Sequence, residues 1–180
     1  MKNNKGFTLV ELLVVVSLII IVVGVAGDIV VTVVRSYNKT QITNEVEQNA
    51  NFVINKLEKE LRNAAEVVGV SSPYPKSVEF IQTFSDGTTQ NVTYAIEDAE
   101  DVSGISADEG VFVVTREDAS GKDVLTNYSS PSGVSVAEGS SNFTLVSSDP
   151  DTVRVSLTLT HIGGIDVPVQ FTQSSNLEKT

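Results

Sequence analysis

Glu11 is a carboxylate set among apolar residues. The polar opening Met1-Lys-Asn-Asn-Lys-Gly6 lies behind it, and the uncharged run Leu12 to Gly27 (LLVVVSLIIIVVGVAG) lies ahead. An acid at membrane depth costs about 2.5–3.5 kcal/mol on insertion scales, so it usually has a partner and a purpose. Gly6 has no side chain, so another chain's backbone can approach it closely. A second group of acids, Glu97, Asp98, Glu100, Asp101, Asp108 and Glu109, falls around Gly104. Calcium takes about six to eight oxygen ligands, and these residues are the chain's calcium candidates. Their spacing is not that of an EF-hand loop, and acid runs usually mark solvated loops, so no cofactor is expected. Asp118 and Asp123 flank Ser120-Gly121 and read better as a hairpin tip than as ligands. His161, the only histidine, reads as a strand-end surface residue. With no Cys there is no thiolate metal site, disulfide or Cys nucleophile, and one His leaves little room for a Ser-His-Asp triad. No G-x-S-x-G turn or Gly-rich phosphate loop occurs either. The chain does not read as an enzyme.

The segment Gly6-Phe7-Thr8-Leu9-Val10-Glu11, running straight into the apolar stretch, closely resembles the processing motif of type IV pilins and type II secretion pseudopilins. The resemblance implies that a prepilin peptidase cuts between Gly6 and Phe7 on the cytoplasmic side and removes the basic leader 1–6. Phe7 then becomes the N-methylated first residue, and the apolar helix stays in the mature protein. Cleavage creates an α-amine with a reference pKa of about 7.7–8.0. In the family's assembly scheme that cation pairs with the acid corresponding to Glu11 on a neighbouring subunit. Docking would thus relieve the cost of Glu11 and fix the axial register. The implied partners are the peptidase/methylase, other pilin or pseudopilin subunits, an inner-membrane assembly platform and the lipid bilayer.

The sequence also departs from the family pattern. Gly27-Asp28 stands where major pilins commonly carry a Pro, and bulky Ile20 replaces the usual mid-run Gly. These departures favour a minor component over the abundant fibre subunit. Further along, Leu61-Arg62-Asn63-Ala64, a strand–Asp-Gly–strand unit and a late alternating strand are similar to J-type minor pseudopilins and W-type minor pilins.

Helical rise of about 1.5 Å per residue makes Leu12–Gly27 roughly 24 Å long, and Ile29 to Val34 extend it to span a hydrocarbon core of about 30 Å. Lys2 and Lys5 place the N-terminal end on the cytoplasmic side and the rest outside. Beyond the run, Ile42, Val46, Ala50, Val53, Leu57, Leu61, Ala64 and Val68 recur with helical periodicity, while Glu47, Asn51, Lys56, Glu58, Lys59 and Arg62 take the other face. One helix from Phe7 to about Val68 follows, its second half covering a sheet or forming a free coiled coil. Gly69 to Pro75 reads as its stop. Strand candidates are Ser77–Phe84 and Thr89–Ile96 around Asp86-Gly87, then Val111–Glu117, Asn142–Ser147, Thr152–Thr160 and Asp166–Thr172. Val153, Val155, Leu157 and Leu159 alternate with Arg154, Ser156 and Thr158, which predicts one buried and one wet face. The fold class is α+β, a type IV pilin-like fold with a long N-terminal helix on an antiparallel sheet. Its divisions are a cleaved leader 1–6, a transmembrane and filament-core helix 7–34, an amphipathic continuation 35–68 and a β-rich head 69–180.

Against 12 basic residues stand 23 acidic ones, giving a net charge of −11. Loss of Lys2 and Lys5 with the leader would take it to −13. Such a surface repels phosphate backbones, so no direct nucleic-acid binding is expected. The mean hydropathy of +0.08 is the average of an apolar shaft and this acidic head. A subunit resting in the cytoplasmic membrane and then entering a pilus or pseudopilus accommodates both parts. Two other readings are a secreted acidic binding module, cut after a signal peptide near Val25-Ala26-Gly27, and a membrane-anchored one that binds calcium. Signal peptides normally lack an acid such as Glu11.

Overall fold

Helix α1 runs from Leu9 to Arg62 with no proline to interrupt it. The computed structural model describes residues 8–72, 76–107, 109–129, 133–148, 151–163 and 169–176. The chain divides into two compact units, 1–41 and 42–180, and α1 contributes to both. In the first unit every described residue is exposed. In the second, the predicted stripe is buried: Val46, Ala50 and Val53 are fully enclosed, and Leu57 and Leu61 nearly so. Burial of each such side chain contributes about 1.5–3 kcal/mol, so this stripe, more than helix propensity, holds residues 42–62 in place.

The helix ends at Arg62, six residues short of the predicted Val68. Strand β1 follows at Ala64–Ser71. The amide of Asn63 bonds the Glu60 carbonyl at 3.1 Å and tightens the last turn. The run Val67-Val68-Gly69-Val70 then goes extended, as β-branched residues favour. Ala64 and Val68 continued the helical spacing only by coincidence, because Val67 is the buried residue and Val68 is 52% exposed. Gly69 is therefore part of a strand and not a helix stop. Pro73, Tyr74 and Pro75 lie outside the described residues.

Strand β1 opens a five-stranded antiparallel sheet with β2 (Lys76–Thr83), β3 (Thr89–Asp98), β4 (Phe112–Asp118) and β5 (Gly121–Val124), in that order. The β2–β3 hairpin turns at Asp86-Gly87 as predicted. Gly87 adopts φ +82°, and Asp86 Oδ1 accepts from the Thr88 amide at 2.9 Å and its hydroxyl at 2.6 Å. The second sheet centres on β8 (Asp151–His161). Strands β6 (Val134–Val136) and β7 (Asn142–Ser148) follow one another along one edge of β8, and β9 (Val169–Asn176) runs along the other. Val153, Val155, Leu157 and Leu159 point into the core as the alternation required. The wet face fails at Thr158, which is 5% exposed. Its amide donates to Ser141 Oγ at 2.9 Å and its carbonyl accepts from Ala137, so the loop before β7 covers it. One apolar cluster joins the α1 stripe to both sheets through Phe80, Val92, Tyr94, Phe143 and Leu157.

Polar ties lock these layers. Arg116 on β4 donates to Glu60 on α1 at 3.0 Å and also pairs with Asp118, and all three side chains are at most 15% exposed. Burial opposes the Arg116 charge, but its hydrogen bonds to Asp118 and Glu60 outweigh that and hold its pKa above the usual value. Tyr94 stacks on Phe80 with ring centroids 6.0 Å apart, and burial followed by the Glu60 charge pushes its phenol well up. Lys76 donates to the Glu138 and Ser141 carbonyls, tying β2 to the second sheet's loop. On the helix surface Glu58 pairs with Arg62 at 2.7 Å.

Replacing Leu57 by Ala removes a fully packed side chain and should cost about 2–5 kcal/mol, whereas Phe52→Ala, at 55% exposure, should change stability by about 0.5 kcal/mol or less. Urea unfolding of the detergent-solubilised chain measures both. The Arg116 hydrogen bond, with the Ser120 amide, holds the Asp118 carboxyl below its ordinary range. Such a depressed group adds stability above the unfolded value of about 3.9, and loses it as pH falls through the folded value. The stability gap between the parent and Asp118→Asn should therefore be widest near neutrality and close in acid, as a pH series of the same unfolding midpoints would show.

Candidate functional site

The helix of the first unit starts with a cap that its own sequence supplies. Thr8 Oγ1 accepts from the Glu11 amide at 3.3 Å, and the Thr8 carbonyl accepts the first helical bond from Leu12 at 3.2 Å. Thr8 is thus the N-cap and Glu11 the third helical residue, the arrangement that a Thr-x-x-Glu sequence favours. An acid in the first turn also faces the positive end of the helix dipole. Sequence reasoning assigned Glu11 to assembly and overlooked Thr8, although the four-residue signature was there to find it. Glu11 is exposed and forms no ion pair among the described residues. Gly6 and Phe7 lie outside the described residues.

Beyond the cap the apolar side chains have no cover. Leu9 is 80% exposed, and Leu12, Ile20 and Val30 are each above 60%. The most apolar 18-residue window of α1 has a mean hydropathy of 3.1, and none of it is buried. The hydroxyls inside the run are satisfied within the helix, Ser17 donating to the Leu13 carbonyl and Thr32 to that of Asp28, each at 2.8 Å. This is a surface built for lipid or for other helices, not for water.

Residues 1–27 match the prokaryotic N-terminal methylation motif. The matched stretch takes in the polar opening, Glu11 and the apolar run to Gly27. A methylation motif joined to a long apolar helix supports a processed, pilin-like subunit anchored through α1. No curated protein and no solved structure matches the chain.

The acidic candidates do not assemble in the same way. Among the described residues, no group of three or more His, Asp or Glu side chains is placed to hold a metal ion. Glu97 is already engaged, bonding Lys122 through both oxygens at 3.0 Å and accepting from the Thr115 hydroxyl at 3.1 Å. Asp98 caps the short 3-10 turn Ala99–Asp101 by accepting from the Glu100 amide at 3.1 Å. Asp98 and Asp101 share a cavity of about 300 Å³ with Phe112 and Glu138, while Glu100 and Glu109 are exposed. Asp108 lies outside the described residues. Asp118 and Asp123 belong to the β4–β5 hairpin, with Asp118 spent on Arg116. His161 ends β8, where Nδ1 accepts from the Gly163 amide at 3.0 Å, as its strand-end reading anticipated.

Replacing Thr8 by Val removes the cap acceptor, worth about 1 kcal/mol, and should speed exchange of the Glu11 amide about five-fold. Hydrogen exchange on the micelle-bound chain, read at that amide, tests the assignment.

Proposed function

We propose that this protein is a structural subunit of a type IV pilus, or of a type II secretion or competence pseudopilus. A prepilin peptidase cuts it between Gly6 and Phe7, and Phe7 is then N-methylated. The observation that carries this reading is the methylation motif, with Glu11 one turn inside an apolar helix that nothing in its own unit covers. The subunit rests in the cytoplasmic membrane with its basic opening inside and residues 42–180 outside. It enters the filament through α1, where the Phe7 amine of one subunit meets Glu11 of another. The missing Pro and the presence of Asp28 favour a minor subunit over the bulk of the shaft. The strand–Asp-Gly–strand unit at β2–β3 is in keeping with a J-type or W-type position. In this reading the residues carry no catalysis.

Co-expression with a prepilin peptidase should yield a chain whose first residue is N-methylated Phe7, by N-terminal sequencing and intact mass. An intact leader, or a start near Asp28, would overturn the proposal. Glu11→Ala should still insert in the membrane but be recovered in sheared filaments at a small fraction of the parent level. Equal recovery would remove Glu11 from the register role.

A further inference from the structure

Asp28 and Arg35 are the only charged residues between Glu11 and Lys39. Both are exposed, and neither forms an ion pair among the described residues. Their own helix offers them no partner. The residues three and four positions from Asp28 are Gly24, Val25, Val31 and Thr32, and those around Arg35 are Val31, Thr32, Asn38 and Lys39. Side chains meet on one helix only at these spacings, and none of these residues carries the opposite charge required. Yet seven residues fall only about 20° short of two full turns, so the acid and the base share one stripe of α1, about 10.5 Å apart along the axis. Val14 and Ile21 occupy the same stripe at the same interval and are 51% and 63% exposed.

We propose that this stripe docks a second copy of the chain, in parallel and displaced by about two turns, so that Asp28 of one copy pairs with Arg35 of the other. The inference rests on the filament reading above and names the contact by which neighbouring helices find their offset. The stripe is self-complementary because it carries both the acid and the base, so no other partner is required. An antiparallel pair would satisfy the charges equally well. Two copies inserted with Lys2 and Lys5 on the same side of the membrane, however, run parallel. The same displacement carries the Phe7 amine of one copy towards Glu11 of the other, four residues further along the chain. One shift of about 6–10.5 Å, within the reach of an arginine side chain, serves both pairs. At the edge of an apolar environment each charge alone is costly, and the pair offsets that cost. Two adjacent copies suffice, so the contact is compatible with a subunit present in few copies.

The test co-expresses two differently tagged full-length copies and co-isolates them from detergent-solubilised membranes, with recovery normalised to the membrane content of each variant. Asp28→Arg or Arg35→Asp in both copies should lower co-isolation about three-fold or more, since helix contacts in membranes are individually modest. Mixing an Asp28→Arg copy with an Arg35→Asp copy should restore it, which only direct complementarity predicts. Single variants that co-isolate like the parent, or a mixed pair no better than the singles, would overturn the pairing. N-terminal sequencing of the same samples reads the filament proposal separately. A Phe7 start with unaffected singles sinks only the pairing, whereas an intact leader with a restored mixed pair sinks only the processing.

Discussion

The constraint on which everything else depends is an apolar helical segment that its own unit leaves uncovered. From Leu9 to Val34 the large apolar side chains are 46% to 80% exposed, and the 42–180 unit has a complete core of its own. Each such side chain left in water forgoes about 1.5–3 kcal/mol, so the segment needs a cover that the first unit does not supply. Lipid provides one, since the helix satisfies its backbone internally and folds its hydroxyls back on its own carbonyls. Neighbouring helices provide another. A bilayer and a filament core are alternative solvents for the same surface, and the few polar groups on it decide between them. Lipid offers Glu11, Asp28 and Arg35 no partner, whereas the proposed filament contacts would match each of them with an opposite charge.

The second unit solves the opposite problem of keeping a helix of the same chain under cover. Val46, Ala50, Val53, Leu57 and Leu61 form a narrow stripe, and a narrow stripe alone could equally line a coiled coil. What distinguishes the sheet-bound arrangement is Arg116, which reaches from β4 to Glu60 and so fixes the rotation of the helix as well as its contact. Two half-buried acids share this one guanidinium. Removing the cation would leave both acids facing each other without compensation.

Periodicity made the long elements legible in advance. The α1 stripe, the β2–β3 hairpin at Asp86-Gly87 and the alternation of β8 each express a local rule, and each is present in the structure. What escaped depends on long-range partners. Val67 and Val68 could continue a helix or begin a strand, and only the pairing of Glu66 with Ile81 and Val67 with Phe80 on β2 decides for the strand. The short strands β5 and β6 are too brief for a pattern and exist because β4 and β8 present open edges. Thr158 looked wet until the loop at Ala137–Ser141 closed over it. Glu60 and Arg116 lie 56 residues apart, a distance over which sequence carries no pairing signal. At the site, Glu11 announced itself as an acid in an apolar run, whereas the engagement of Glu97 by Lys122 and of Asp98 in capping a short turn rests on partners that the acid cluster itself does not reveal.

The charge of the 42–180 unit bears on how the proposed filament assembly would be driven. It holds 8 basic residues against 21 acidic ones, and several of the cations are already spent. Arg62, Arg116 and Lys122 pair with acids, and Lys76 is held by two carbonyls. Little positive charge is left to attract a like neighbour, so two such units brought together repel, within a Debye length of about 8 Å at physiological salt. Contact between identical heads is therefore a poor source of assembly energy. The attraction has to come from the segment that is nearly free of net charge and rich in exposed apolar surface, the helix from Leu9 to Val34. Head repulsion then works as a spacer, disfavouring copies at the same height and favouring an axial stagger. The proposed pairing of Asp28 with Arg35, offset along α1, would reward that stagger and disfavour the in-register alternative, where acid would face acid and base would face base.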